Sequence, residues 1–279
     1  MQDLLLKGGH AALVLLEAIA LVWIGKKATE LLTRTSFDRE LMTNDNPAAG
    51  VTLAGFYVGL FIALSGILAG PSHRLGTDLL FGAIHGAAAI ACLVLSAAIW
   101  RPVLQVDFRK DILQERNLGA GIVAAAALVA TGLVYRGALS GQSDNAASVA
   151  AFFAIGEGAL FLTLLLYEWA TPYDVYGEIG PRGNPAAAAG CAGAILAAGL
   201  IIGNAVEGEL TTWMDSILES LLYLLPLLAL PLVRLLVVNG LLLGFRDVNR
   251  EIVEDRNAAA GLVEGAAYVG IALFVLHLL

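Results

Sequence analysis

Glu178-Ile-Gly-Pro-Arg-Gly-Asn184-Pro-Ala-Ala-Ala188 runs from an acid and an apolar residue, across four residues, to an Asn that opens a small-residue apolar run. The same arrangement recurs as Glu40-Leu41…Asn46-Pro-Ala-Ala-Gly50, Asp111-Ile112…Asn117-Leu-Gly-Ala-Gly121 and Glu251-Ile252…Asn257-Ala-Ala-Ala-Gly261. The asparagines are 71, 67 and 73 residues apart. Self-similarity at a fixed period marks one supersecondary unit, copied so that its copies pack on each other.

The composition around these signatures sets the solvent. Of 279 residues, 58% are apolar and 14% charged, with a mean hydropathy of +0.79, whereas a soluble domain carries about 25% charge. Eight apolar stretches of near-spanning length read at 8–25, 48–70, 79–100, 118–136, 147–168, 185–205, 216–240 and 258–279. At about 1.5 Å per residue each crosses a hydrocarbon core of about 30 Å. The expectation is an all-α polytopic membrane protein with eight transmembrane helices, arranged as four parallel two-helix repeats in a pseudo-symmetric bundle whose symmetry suggests a ring.

Basic residues are unevenly shared between the two sides. Twelve, including Lys26, Lys27, Arg109, Lys110, Arg182 and Arg250, fall in the odd-numbered loops; Lys7, Arg74 and Arg136 fall on the other side. The positive-inside rule then puts all four signatures in the cytoplasm and both termini outside. Glu17 interrupts the first apolar stretch and Lys26-Lys27 close it, which reads as an anchored helix rather than a cleaved leader. Cys92 and Cys191 fall within spans at no disulfide or metal spacing, and are expected to pack. The net charge of −8 argues against a nucleic-acid partner.

The repeats alternate in kind. The first and third open their return helix with Asn-Pro and carry Glu17 and Glu157; the second and fourth have Arg116 and Arg256 before the Asn. This reads as a four-helix unit duplicated in tandem, residues 1–141 and 142–279, with a seam near Gly141–Asn145. The stretch Leu166-Tyr-Glu-Trp-Ala-Thr-Pro-Tyr-Asp-Val-Tyr-Gly-Glu-Ile-Gly180, followed by Asn184-Pro-Ala-Ala-Ala188, resembles the family catalogued as domain of unknown function 350, bacterial inner-membrane proteins built of four-helix units. The resemblance covers essentially the whole chain as two such units. Thr-Pro-Tyr-Asp is intact only at Thr171–Asp174, while other repeats keep Asp107, Asp247 and the Asn. It implies an architecture and a bacterial inner-membrane location, and no activity.

Asn46, Asn117, Asn184 and Asn257 are expected to be helix N-caps, with Pro47 and Pro185 at the favoured first position. The alternative is four helix N-termini cradling an anion with Arg116, Arg182 and Arg256. Gly50, Gly121 and Gly261, with Ala188, lie four residues past each Asn, a spacing that permits close backbone packing. Glu40, Asp111, Glu178, Glu251 and Asp174 form either a cytoplasmic acidic rim that attracts cations or a set of loop caps and Arg partners.

The charges inside spans are the sharper candidates: Glu17, Glu157, Glu264, His85 and Arg234, with Glu219 nearer the outer end. An intramembrane charge costs about 2.5–3.5 kcal/mol on insertion scales and faces a cavity, a partner or a pathway. The leading expectation is an ion pathway for a cation or proton lined by Glu17, Glu157, Glu264 and His85; the competing one is a Glu–Arg or Glu–His pair, Arg234 being the available cation. No phosphate loop, Gly-x-Ser-x-Gly or His-Glu-x-x-His occurs, and His10, His73, His85 and His277 are scattered. Neither an enzyme, a metal site nor a cofactor is therefore expected. The partners expected are the lipid bilayer, a small cation or proton, and for the rival scaffold or stress-sensor reading a cytoplasmic protein; a lipid- or polyamine-recognising protein is a third reading. Oligomers are compatible with all three.

Overall fold

The structure, a computed structural model, describes residues 2–69, 74–140, 146–207, 218, 221–222, 225–229, 232–242 and 248–278. The seam at Gly141–Asn145, and His73, Glu219 and Asp247, lie outside these residues, as does the side chain of Lys7. Every regular element among the described residues is helical. Among the described residues seven helices are long and apolar enough to cross a membrane: α1 (Gln2–Thr33), α2 (Pro47–Ala69), α3 (Leu75–Leu104), α4 (Leu118–Ser140), α5 (Ala146–Ala170), α6 (Pro185–Ala205) and α7 (Ala258–Val275).

The stretch 216–240, read as a further span, is only partly described. Its described part has α-helical residues at 218, 221–222 and 232, a 3₁₀ turn, Leu225–Ala229, and a π-wound segment, Val233–Leu242. Pro226 lies in the 3₁₀ turn, and a proline removes a backbone donor and crowds the preceding turn.

The return helices that follow the four asparagines pack in sequence: α2 on α4, α4 on α6, and α6 on α7. They make a row, not the ring that the fourfold repeat suggested, since α2 and α7 share no interface of comparable size. Glycine sets the spacing. A Cβ on Gly132 would run into the backbone of Gly59, and one on Gly193 into that of Gly265. Lipid gives apolar helices no hydrophobic reason to associate, so such backbone-to-backbone contact holds them by dispersion. Position in the row sets enclosure: 72% of the α4 window and 83% of the α6 window are buried, against 33% for α7 at the end.

α1, α3 and α5 lie outside this row. Only 11% of the α1 window is buried, and Leu16, Trp23, Leu95, Ile99, Leu162 and Trp169 are exposed. An apolar surface of this extent fits hydrocarbon rather than water.

Candidate functional site

Four short helical turns precede the return helices: Phe37–Met42, the π-wound Phe108–Gln114, Val175–Ile179 and Val248–Val253. Each loop is closed by the Asn amide N–H donating to the carbonyl of the acid six residues back: Asn46 to Glu40, Asn117 to Asp111, Asn184 to Glu178 and Asn257 to Glu251, at 2.8–3.0 Å. That closure needs a left-handed residue just before the Asn. Asp45 (φ 47°), Arg116 (φ 52°), Gly183 (φ 59°) and Arg256 (φ 48°) supply it, and only one of the four is the glycine that adopts this conformation without a steric cost.

The Asn side chains then act in two directions. Their Oδ1 atoms cap the helices that follow, accepting from Ala49 N (3.1 Å), Ala120 N (3.1 Å), Ala186 N (3.0 Å) and Ala259 N (3.1 Å). Their Nδ2 groups reach into the next repeat: Asn46 to the Ile112 carbonyl (2.9 Å), Asn117 to those of Ile179 and Gly180 (both 2.8 Å), and Asn184 to that of Ile252 (2.7 Å). Repeat is thus tied to repeat, and Asn46 and Asn184 are buried beneath the following loop. Asn257 is exposed and turns its amide back to Glu251 at 2.9 Å.

The rim acids are engaged in the same loops. Glu40 accepts from Asn44 (2.9 Å) and Asn46 (3.1 Å), and Glu178, 1% exposed, accepts from Asn184 (2.8 Å) and pairs with Arg182. Asp111 accepts from the Asp107 N–H at 2.6 Å. Asp107 and Asp174 cap their own turns, accepting from the N–H of Lys110 and Gly177, each at 2.9 Å. That hydrogen bond, followed by the charge of Arg101, holds the Asp107 carboxyl below its ordinary value.

The intramembrane candidates have different recorded neighbours. Glu17 lies over Gly82 of α3, where a Cβ would meet its carboxylate. His85 stacks on Phe81 with ring centroids 6.2 Å apart, and its backbone carbonyl accepts from Tyr135 Oη at 3.1 Å. Glu264, 0% exposed, pairs with Arg234, 5% exposed, at 2.7 Å. Arg234 also donates to Asn249 Oδ1 (2.8 Å) and lies 5.5 Å from the centre of the Tyr173 ring, while Tyr268 Oη reaches Glu264 at 3.4 Å.

Glu157 is different. Both of its carboxylate oxygens are buried, and its neighbours are Ser96 and Trp100 from α3 and Thr131 from α4. Those four side chains face one another without a hydrogen bond of full geometry: Ser96 Oγ, Trp100 Nε1, Thr131 Oγ1 and both Glu157 oxygens are all left unsatisfied. None of the three neighbours is a cation. Among the described residues the setting offers a carboxyl group two hydroxyls and one indole N–H, and none of these three groups carries a compensating charge.

Ser96, Trp100 and Thr131 did not stand out in the sequence, nor did Tyr167, Tyr173 and Tyr268. The available signal was modest: polar atoms in apolar spans, meaningful only once the helices that share a neighbourhood are known. No curated protein matches the chain, and no solved structure does. The family model described as Domain of Unknown Function (DUF350) matches residues 2–139 and again 142–279. With almost every residue inside one copy or the other, the chain belongs to the DUF350 family, as two tandem units in a single polypeptide.

Proposed function

We propose that this protein moves protons across the membrane in which it sits, with Glu157 as the group that takes up and releases them. The observation that carries this reading is the burial of both Glu157 oxygens among Ser96, Trp100 and Thr131, with no cation beside them among the described residues. An uncompensated carboxylate in such a place costs several kcal/mol, and intramembrane carboxyls of this kind belong to proton relays. A proton fits the group better than a metal cation. Trp100 is a donor only and cannot ligate a cation, while hard cations need a cage of oxygens.

Glu264 has a different part in this account. Its pairing with Arg234 fixes the π-wound segment to α7 and leaves Glu264 as an anchor. Glu17 and His85 lie on the flanking helices α1 and α3 as the candidates for carrying protons onward from Glu157.

The orientation proposed is that of an inner-membrane protein with its Asn loops in the cytoplasm, supported by the excess of Lys and Arg in those loops. An eighth crossing by the 216–240 stretch is supported by connectivity. α6 starts at Asn184 and leads away from the loop layer, yet Ile252 is back in that layer, bonded to Asn184. Proteoliposomes holding the full chain test the function: a pH gradient should dissipate faster than in empty vesicles, and Glu157→Gln should abolish the difference.

A further inference from the structure

The row of return helices has two different ends, and they match. Within the chain, return helices meet their successors through residues two, nine or thirteen past the Asn. Ala48 and Ala186, two past, meet Gly121 and Gly261; Gly55 and Gly193, nine past, meet Ala125 and Gly265; Gly59 and Ala130, thirteen past, meet Gly132 and Gly199. On α7 the same positions are Ala259, Ala266 and Gly270. All three are exposed, and a Cβ on Gly270 would meet nothing within 4 Å.

At the other end, α2 makes a return-helix interface of this size with α4 alone among the described residues. Its positions four and eight past Asn46, equivalent to Gly121 and Ala125 of α4, are Gly50, half-buried, and Ala54, exposed. The hydrogen-bond series is open at the same two ends. The Asn257 amide donates within its own loop, to Glu251. The carbonyls of Leu41 and Met42 are the equivalents of those of Ile112 and Leu113 that Asn46 engages. Met42 is 81% exposed.

We infer that a second copy of this chain continues the row, its α2 packing on the exposed face of α7 and its Leu41–Met42 carbonyls accepting the Asn257 amide. The interface repeats one that the chain already forms three times over, with small residues again at the points of closest approach. Ala266 faces Ala54 of the second copy, as Gly55 faces Ala125 and Gly193 faces Gly265. Phe61, fifteen past Asn46, is the one departure, standing where Gly132 and Gly199 stand in the other helices; Gly270 is the residue opposite it, and has the open space to receive it. Such a contact is heterologous, so it either closes on itself or propagates.

The test uses the full chain in native membranes with Cys92 and Cys191 replaced by Ala. One tagged form carries Ala54→Cys and another carries Ala266→Cys, and both are oxidised alone and after co-expression. The expected result is a disulfide-linked pair bearing both tags in the mixture and none in either form alone. Absence of the mixed pair, or pairs formed equally by each single form, overturns the head-to-tail contact in favour of lipid or a symmetric face. Light scattering gives the independent reading: the purified wild type should have a multiple of the 29.1 kDa chain mass, and Ala266→Trp should reduce it to one chain. A wild type of single-chain mass overturns the inference as well.

Discussion

Asn184 Nδ2 donates to the backbone carbonyl of Ile252, 68 residues downstream, at 2.7 Å, while its own Oδ1 accepts from Ala186 N at 3.0 Å. One buried side chain therefore starts its own helix and secures the next repeat's loop. Removing it leaves donors and acceptors without partners where water cannot replace them. Asn184→Ala is expected to cost about 2–4 kcal/mol, a cap of about 1 plus about 1–3 for the buried groups. Asn257→Ala, at an exposed cap whose amide stays within its own loop, should cost about 1 kcal/mol. Chemical unfolding of the detergent-solubilised protein separates these values, and equal losses would contradict the inter-repeat role.

The legibility of this arrangement divides by range. The caps were readable because Asn before a small-residue run is a local signal, complete within a few residues. The amide that crosses to Ile252 was not, because sequence periodicity says nothing about which loop lies over which Asn. The fourfold repeat likewise implied copies of one unit but not their lateral order, and a ring was expected where α2, α4, α6 and α7 form a row. Arg234 and Glu264 could be suspected as partners because both interrupt apolar runs. Ser96, Trp100 and Thr131 gave no such warning, since a hydroxyl or an indole in a span is unremarkable until Glu157 is beside it.

Glycine contacts within the row should be far less tolerant than glycines elsewhere. A Cβ at Gly193 would enter the backbone of Gly265, whereas one at Gly158 meets nothing within 4 Å. Gly193→Ala is expected to destabilise by about 1–3 kcal/mol or more through overpacking. Gly158→Ala should be neutral to slightly stabilising, by the helix propensity difference of up to about 1 kcal/mol. Thermal unfolding in detergent compares them.

The buried pair of Arg234 and Glu264 should show strong coupling. Glu264→Gln or Arg234→Met alone leaves one buried charge unmatched, at an expected cost of about 3–5 kcal/mol. The double replacement Arg234→Met with Glu264→Leu should recover most of it. A double-mutant cycle on unfolding free energies checks the prediction, and additive losses would show that the pair is not an anchor.

Acid should loosen the second loop through Asp107. Its carboxyl is held below the ordinary value, chiefly by the Lys110 N–H and then by Arg101. The contribution is therefore present above the unfolded pKa of about 3.9 and is lost as pH falls through the lower folded value. Hydrogen exchange of the 108–114 amides should accelerate below about pH 4 in the wild type. Asp107→Asn, which keeps an acceptor for the cap, should remove that acid-dependent step.

Proton movement through Glu157 is measured most directly as dissipation of a pH gradient in proteoliposomes, with wild type, Glu157→Gln and Glu264→Gln reconstituted in equal amounts. The account predicts flux in the wild type, none above empty vesicles in Glu157→Gln, and retained flux in any Glu264→Gln protein that reconstitutes folded. Flux in Glu157→Gln equal to that of the wild type, or no flux in a folded wild type, would contradict it.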